Sequence, residues 1–305
     1  MTRPSPATER TVALLNFLAS RPGESFSLSE LARRLDLNKS TAFLMVNSLV
    51  ESGYLLKNPI QKAYSLGPAL IAVGSAAARQ FAPVDHAADE MRRLAEELSV
   101  QCVAGAVVAG EIVMLACAGE PKPFGTSISP GQRLPLAPPL GTVYMAWASA
   151  EEIEDWLKKL GPDVTQEQKT RFINVLDDVR KRGYATGLEA IAKLRLSKAL
   201  GEVPSVDGQI DREQLKNIVQ GLVEELTHEE RVLSDISGQP SYHLSHISAP
   251  VFGSDGKVKL ALNLIDLPRQ LSSEQVKEFA TCLLAATARI TQSIGGTVPL
   301  RSEVA

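Results

Sequence analysis

Cysteine is scarce in this chain: Cys102, Cys117 and Cys282 are too few and too scattered for a disulfide framework, and none has CxxC or Cys/His ligand spacing. Reduced, buried thiols in a cytoplasmic protein are the expectation. Histidine is scarce as well, and only His243 and His246 stand close together. On a strand their three-residue offset turns them to opposite faces, and no carboxylate or thiol sits at a matching spacing, so ordinary hydrogen-bonded histidines are preferred to a metal pair. No apolar run approaches the roughly 18 residues of a membrane helix, and the opening MTRPSPATER has no apolar centre of the kind a secretion signal needs. A soluble, intracellular chain with no membrane partner is expected. GxSxG, GxGxxG, Walker and HExxH patterns are missing too, so the sequence offers no catalytic residue and implies no cofactor.

What is present begins with size and charge. At 305 residues and 44 % apolar content the chain can bury a real core, and its length favours about two domains. The formal charge of -3 is unevenly spread. Nine basic against five acidic side chains up to Arg79 leave that segment at about +4, so the remainder carries about -7. A basic head on an acidic body suits contact with phosphates at one end only.

The head carries the clearest pattern. Thr8 is placed to cap a helix running to about Ser20, with Val12, Leu14, Leu15 and Leu18 as its buried stripe and Pro22-Gly23 ending it. Ser27 opens a second helix, where Glu30 can complete a capping box and Leu28, Leu31, Ala32 and Leu35 face inward. Asp36-Leu37-Asn38 breaks that helix, and a third runs from about Lys39 to a left-handed stop at Gly53. With Ala42, Met45, Val46 and Leu49 buried, the other side presents Lys39, Ser40, Phe43, Leu44 and Asn47. Two short helices across a tight turn form a unit whose second helix can enter a DNA major groove. There Asn47 can pair with an adenine edge, Lys39 and Ser40 can meet phosphate at the helix start, and Phe43 can pack on a thymine methyl. After Gly53, YLLK, a turn at Asn58-Pro59 and KAYSL read as a two-stranded wing with Lys57 and Lys62 near its tip. The candidate DNA contacts are thus Ser27, Asn38, Lys39, Ser40, Thr41, Phe43, Leu44 and Asn47, with Lys57 and Lys62 from the wing.

Beyond the wing, LGPALIAVGSAAAR reads as a helix joining the two halves and ending near Gln80. Its small residues would let two copies approach closely; the alternative is a plain linker. Pro83 starts a helix through Ser99, and CVAGAVVAGEIVMLACA alternates as two strands about Gly110. Ala249 to Phe252, a turn at Asp255-Gly256, and Val258 to Leu264 repeat that hairpin pattern, and both hairpins can share one antiparallel sheet. Between them GQRLPLAPPLGTVYMAWAS runs into a helix beginning near Leu140, whose free amides could seat a carboxylate. Arg180, Lys181 and Arg182 end a helix spanning 166 to 182, where positive charge suits the helix dipole.

These residues resemble the IclR family of bacterial transcriptional regulators. The likeness runs through ERTVALLNFLAS, SLSELARRLDLNKSTAFLMVNSLVESGYL, YSLGPALIAVGSAA, GQRLPLAPPLGTVYMAWAS and ISAPVFGSDGKVKLALNL, in colinear order over most of the chain. The resemblance implies an α+β architecture: a winged helix-turn-helix domain at 1–66, a linker helix at 67–82, and a GAF- or profilin-like effector-binding domain with an antiparallel sheet at 83–297. It also implies a homodimer or dimer of dimers on a near-palindromic double-stranded operator, and a small organic acid or aromatic compound as effector. Matching the family's pocket places Leu134, Pro139, Leu140 and Gly141 on one side of the effector and Asn263 and Ile265 on the other, and Pro250 is counted among the effector contacts as well. Several relatives have hydroxyl residues at the last two positions, so Asn263 and Ile265 suggest a less polar pocket for a bulkier or aromatic acid.

Two departures qualify the resemblance. Members often carry Arg where this chain has Leu44, which shifts phosphate contact onto Lys39 and the wing. Between Gly183 and Pro250 roughly 65 residues replace a shorter stretch. Within them DREQLKNIVQGLVEELTHEERVL has helical periodicity, with Leu215, Ile218, Val219, Leu222, Val223 and Leu226 on one side, so about 190–240 reads as a helical insertion that packs as extra core or at a subunit contact. Against the regulator stand two alternatives: a ligand-sensing protein with degraded DNA binding, and a small-molecule enzyme with dispersed catalytic groups.

Overall fold

A computed structural model of the chain describes residues 5–21, 23–122, 128–162, 164–188 and 241–299. The expected helical insertion at about 190–240 lies outside the described residues. The chain divides into two compact units, one built chiefly from Met1–Phe81 and the other chiefly from Ala82 onwards.

The first unit contains α1 (Pro6–Ala19), β1 (Phe26–Ser27), α2 (Leu28–Arg34), α3 (Lys39–Glu51), β2 (Leu55–Asn58), β3 (Ala63–Leu66) and α4 (Ala69–Gln80). Its core gathers Leu14, Leu18, Phe26, Leu31, Val46, Leu55 and Tyr64, with Leu28, Leu35, Met45 and Leu49 packed around them. Burying each of the larger apolar side chains contributes about 1.5–3 kcal/mol, enough to hold three short helices that would not persist alone.

Three details differ from the sequence expectation. Thr8 is not the cap of α1: the helix starts at Pro6, whose fixed φ suits a first turn, and extended Ser5 occupies the N-cap position. Val12 is not part of the buried stripe but 50 % exposed. Phe17 takes part in the packing instead, with its ring 4.9 Å from that of Phe26 and the Arg21 guanidinium 4.4 Å above it. The sheet has three strands, ordered β1-β3-β2, because Phe26 pairs with Tyr64 and Ser27 with Ala63.

The second unit contains α5 (Ala82–Leu98), β4 (Gln101–Val108), β5 (Glu111–Ala118), β6 (Arg133–Pro135), α6 (Thr142–Met145), α7 (Ala150–Lys158), α8 (Gln166–Arg182), β7 (Ala185–Leu188), β8 (Leu244–Phe252), β9 (Val258–Ile265) and α9 (Ser273–Ser293). Both expected hairpins form and join through β4 and β9, giving one antiparallel sheet ordered β6-β5-β4-β9-β8-β7. Alternation with period two divides its side chains between two cores. Leu260, Leu262 and Leu264 of β9, with Ile247, Ala249 and Val251 of β8, meet α5 and α9. Val103, Ile112, Met114, Ala261 and Ile265 point to the opposite face, where Trp156 of α7 and Phe172, Leu176 and Val179 of α8 cover them. The α+β class with a winged helix-turn-helix and an antiparallel sheet is therefore observed.

One ion pair ties α5 to α9. Arg289 grips Glu90 with Nε–Oε1 at 2.6 Å and Nη2–Oε2 at 2.8 Å, and Arg93 adds a bond to Oε2 at 2.8 Å. The bonds from Arg289, above all, hold the Glu90 carboxyl down at about 2 against an ordinary 4.5. Because the folded value is the lower one, this stabilisation is complete above about pH 4.5 and is lost as the pH falls toward about 2. Glu90→Gln is expected to lower the unfolding free energy near neutrality by roughly 1 kcal/mol, after solvent screening, and to flatten its decline on the acid side. Urea denaturation across that pH range checks it; a deficit that stays constant down to the acid limit contradicts it.

Candidate nucleic-acid interface and effector site

The helical pair is set by its ends. The Ser27 amide and hydroxyl both donate to Glu30 Oε2 at 2.8 Å, and the hydroxyl accepts the Glu30 amide at 3.3 Å, so the capping box expected for α2 is formed. These bonds hold the Glu30 carboxyl below its ordinary range, the Ser27 amide contributing most. Both Ser27 donors are thereby used inside the protein. At the other end of α2, Asp36 takes a left-handed φ of 48°, and the Leu37 amide reaches back to the Ala32 carbonyl at 2.8 Å. That six-to-one bond is how a helix usually stops at glycine; an aspartate fills the position here. Asn38 then caps α3, its Oδ1 accepting the Thr41 amide at 2.8 Å. Gly53, at φ 72°, closes α3 in the same way, with Tyr54 N–H bonded to the Leu49 carbonyl at 2.8 Å.

Between these stops α3 has two unlike sides. Ala42 and Val46 are fully buried, and Met45 and Leu49 pack beside Val46. Across the helix Phe43 is 46 % exposed and Leu44 67 %, Asn38, Lys39 and Ser40 are exposed, and Thr41 and Asn47 are half-buried. In the wing Lys57 and Lys62 are both exposed, Lys57 with its ammonium 5.9 Å from the Tyr64 ring centre and Lys62 in the turn at φ 50°. The turn is drawn tight by Asn58, whose Oδ1 accepts the amides of Ile60 and Gln61 at 3.0 and 3.1 Å. Sequence reasoning missed Ile60, which stands 91 % exposed at the tip. Its place in a turn gave no periodicity by which to find it.

Of the seven residues matched to an effector pocket, some share one core and Pro250 lines a cavity of its own. Leu134 on β6 and Leu140 pack against the second core, to which Ile265 belongs at 4 % exposure. Pro139 and Gly141 flank Leu140, whose carbonyl accepts Trp156 Nε1–H at 2.9 Å. The expected helix from Leu140 is shorter and later: α6 has four residues and begins at Thr142, too short a run of aligned peptides for a useful dipole, and the Leu140 amide is already bonded to the Ala137 carbonyl. Gly141 sits at φ 89°, and a Cβ there would lie 2.4 Å from Leu136 Cδ1, so any larger residue would disturb the loop itself. Asn263 is committed to the sheet: its Nδ2 donates to the Val103 and Ala261 carbonyls at 3.1 and 3.2 Å, and its Oδ1 accepts Ser248 Oγ–H at 2.5 Å. Pro250 instead lines a separate cavity of about 200 Å³ with Trp147, Arg180, Phe252 and Thr287.

Tyr144 was not anticipated. Its hydroxyl is buried in the second core with no hydrogen-bond partner among the described residues, and burial pushes its ionisation up. The ring tip fits over Gly105, where a Cβ would lie 3.0 Å from the hydroxyl oxygen. His243 precedes β8 and is exposed, while His246 Nδ1 lies 2.9 Å from Ser245 Oγ. In the last turn of α8, Arg180 Nε donates to the Ala146 carbonyl and Arg182 Nε to the Tyr184 carbonyl, each at 2.6 Å. Burial pushes the Cys102 thiol up to about 12, so it is not a nucleophile at neutral pH. Among the described residues no helix is long and apolar enough to cross a membrane.

Residues 7–59 match the IclR helix-turn-helix domain. The chain is 26 % identical over 184 residues to the HTH-type transcriptional regulator BhcR of Paracoccus denitrificans, a match that covers 59 % of this chain and 65 % of that protein. With the HTH-type transcriptional regulator KdgR of Escherichia coli it shares 25 % identity over 162 residues, 52 % of this chain and 62 % of the relative. The chain thus spans less than two thirds of the length of these relatives. Among solved structures, an IclR transcriptional regulator from Alicyclobacillus acidocaldarius has a TM-score of 0.67 at 19 % identity, covering 96 % of this chain and all of the other. An IclR homologue from Microbacterium hydrocarbonoxydans, solved in complex with 4-hydroxybenzoate, has a TM-score of 0.63 at 18 % identity, covering 94 % and 98 %. At such identities the likeness shows the fold, and it is the fold implied by the resemblance to the IclR family.

The Asn38 cap gives a direct check of how α3 is held. Asn38→Ala is expected to cost about 1 kcal/mol at the start of α3, seen as roughly fivefold faster amide exchange in its first turn, while Asn38→Asp keeps near-native protection. Equal exchange in both variants contradicts the cap.

Proposed function

We propose that this chain, which carries an IclR helix-turn-helix domain on an IclR-type fold, is a DNA-binding transcriptional regulator whose operator affinity is set by a small organic effector. The observation that carries the reading is the two-sidedness of α3: Ala42 and Val46 are clamped into the core, and Ser40, Phe43 and Leu44 are thereby exposed, with half-buried Asn47 beside them. Such a helix fits a major groove, with Lys39 at the backbone and Lys57 and Lys62 of the wing on the flanking phosphates. No acidic side chain stands in the first turn of α3, which leaves its positive dipole end free for phosphate.

The partner is a near-palindromic double-stranded operator bound by a homodimer or a dimer of dimers. Support for pairing comes from α4, where residues 71–77 are exposed throughout and include Ile71 at 71 % and Val73 at 50 %. An apolar helix side of that kind gains by covering itself with a second copy.

The effector belongs to the second unit, over the sheet face that carries Ile265 and Asn263 and near the loop from Leu134 to Gly141. An aromatic carboxylic acid suits this mostly apolar face, and the 4-hydroxybenzoate bound by the Microbacterium hydrocarbonoxydans homologue supports that class. Effector binding then shifts the alignment of paired recognition helices with successive major grooves. A coupling of about 1–3 kcal/mol suffices, since a few-fold to hundredfold change in affinity switches a promoter.

A mobility-shift titration of the full-length chain on the DNA upstream of its own gene tests the reading. Binding is expected at low salt and to weaken steeply as salt rises. Lys39→Ala should reduce the salt slope by about one, Asn47→Ala should cost about 1–3 kcal/mol, and 4-hydroxybenzoate should move the midpoint of wild type. Absence of binding at low salt contradicts the regulator and favours a ligand sensor without DNA binding; binding that ignores Lys39→Ala and Asn47→Ala contradicts the assigned interface.

A further inference from the structure

Ser40, Phe43, Leu44 and Asn47 stand at i, i+3, i+4 and i+7, so they form one stripe along the outside of α3. The middle of that stripe is apolar and open to solvent, with Phe43 46 % and Leu44 67 % exposed. Neither side chain belongs to the core of the unit, which closes without them. Their neighbours in the stripe are uncharged, and the only cation of α3 is Lys39 at its first residue.

This chemistry restricts what the helix can read. Guanine is recognised in the major groove through paired acceptors that call for Arg or Lys, and Ser40, Phe43, Leu44 and Asn47 include neither. The one apolar group on the floor of the major groove is the 5-methyl of thymine. Asn47, one turn beyond Phe43, offers the donor and acceptor that match adenine N7 and N6. The rise between Phe43 and Asn47 is about 6 Å, close to two base-pair steps, so the two contacts fall on pairs about two steps apart within one half-site. Lys39, Lys57 and Lys62 serve phosphates and do not distinguish sequences.

We infer that the centre of each operator half-site is a run of A·T pairs read by apolar contact and a base-edge hydrogen bond, with Phe43 and Leu44 seated on adjacent thymine methyl groups and Asn47 on an adenine about two steps away. The inference rests on the DNA-binding reading above and adds to it the class of sequence bound. Specificity here depends on methyl groups, so it should be weakly sensitive to salt while total affinity is strongly so.

The test uses the full-length chain and a duplex selected by it from a random-sequence library at low salt. Each thymine of the selected half-site is then replaced by deoxyuridine, which keeps the base pair and removes the methyl. The expected result is a selected A·T centre and roughly fourfold weaker binding for each contacted methyl removed. In Phe43→Ala and Leu44→Ala, both at exposed positions that leave the core intact, the difference between thymine and deoxyuridine at the matching position should vanish. Equal affinity of wild type for the two duplexes, or a selected centre of G·C pairs, overturns this inference and leaves DNA binding standing. If no duplex is enriched and none binds at low salt, the DNA-binding reading itself fails, and the inference with it.

Discussion

The burial of Ala42 and Val46 is the constraint on which the first unit turns. Both are fully enclosed, and with 3.6 residues per turn a helix held by positions 42 and 46 turns Leu44 outward, with Ser40, Asn47 and Ser48 beside it and Phe43 at the flank. The clamp is shared among Leu14 and Leu18 of α1, Leu31 of α2 and Leu55 and Tyr64 of the sheet, so the orientation of α3 depends on α1, α2 and the sheet together. Its ends are fixed separately by Asn38 and Gly53, which settle where the helix starts and stops but not which way it faces. Exposure of Phe43 and Leu44 is therefore a consequence of packing beneath them, and any ligand of that face meets a surface already in place.

The second unit applies the two-residue period of a strand to a different end. Leu260, Leu262 and Leu264 face one pair of helices, while Ala261, Asn263 and Ile265 face the other side, and this single alternation separates the two cores. Asn263 and Ser248 bond to each other across adjacent strands, and the buried Tyr144 hydroxyl has no partner among the described residues. Leaving a buried hydroxyl unpaired costs about 1–3 kcal/mol, a cost that an apolar residue at position 144 would avoid.

Local rules made much of this legible in the sequence. The capping box of Ser27 and Glu30, the turn that separates α2 from α3, the inward set of Ala42 and Val46, and the two hairpins of the larger sheet all follow from spacing of a few residues. What escaped notice depends on contacts between distant positions. Pairing of Phe26 with Tyr64, which turns a two-stranded wing into a three-stranded sheet, involves a strand of only two residues. Val12 matches the helical period of α1 as well as Leu14 does, and only the placing of the neighbouring elements decides that it is exposed. The loop before α6 looked like the start of a longer helix because its composition allows one; left-handed Gly141 and the bond from Trp156 to the Leu140 carbonyl delay the helix to Thr142. The cavity that Pro250 lines with Trp147 and Phe252 joins residues far apart in the chain, so no local pattern marks it.

The central claim is that the outer side of α3 lies against the bases. Photo-crosslinking measures this most directly: a photoreactive phenylalanine analogue is placed at position 44, and separately at exposed Ile173 of α8, and each protein is irradiated on the same bound duplex. The account predicts crosslinks from position 44 to bases inside each half-site and none from position 173. Crosslinks from position 173 with none from position 44 would contradict it.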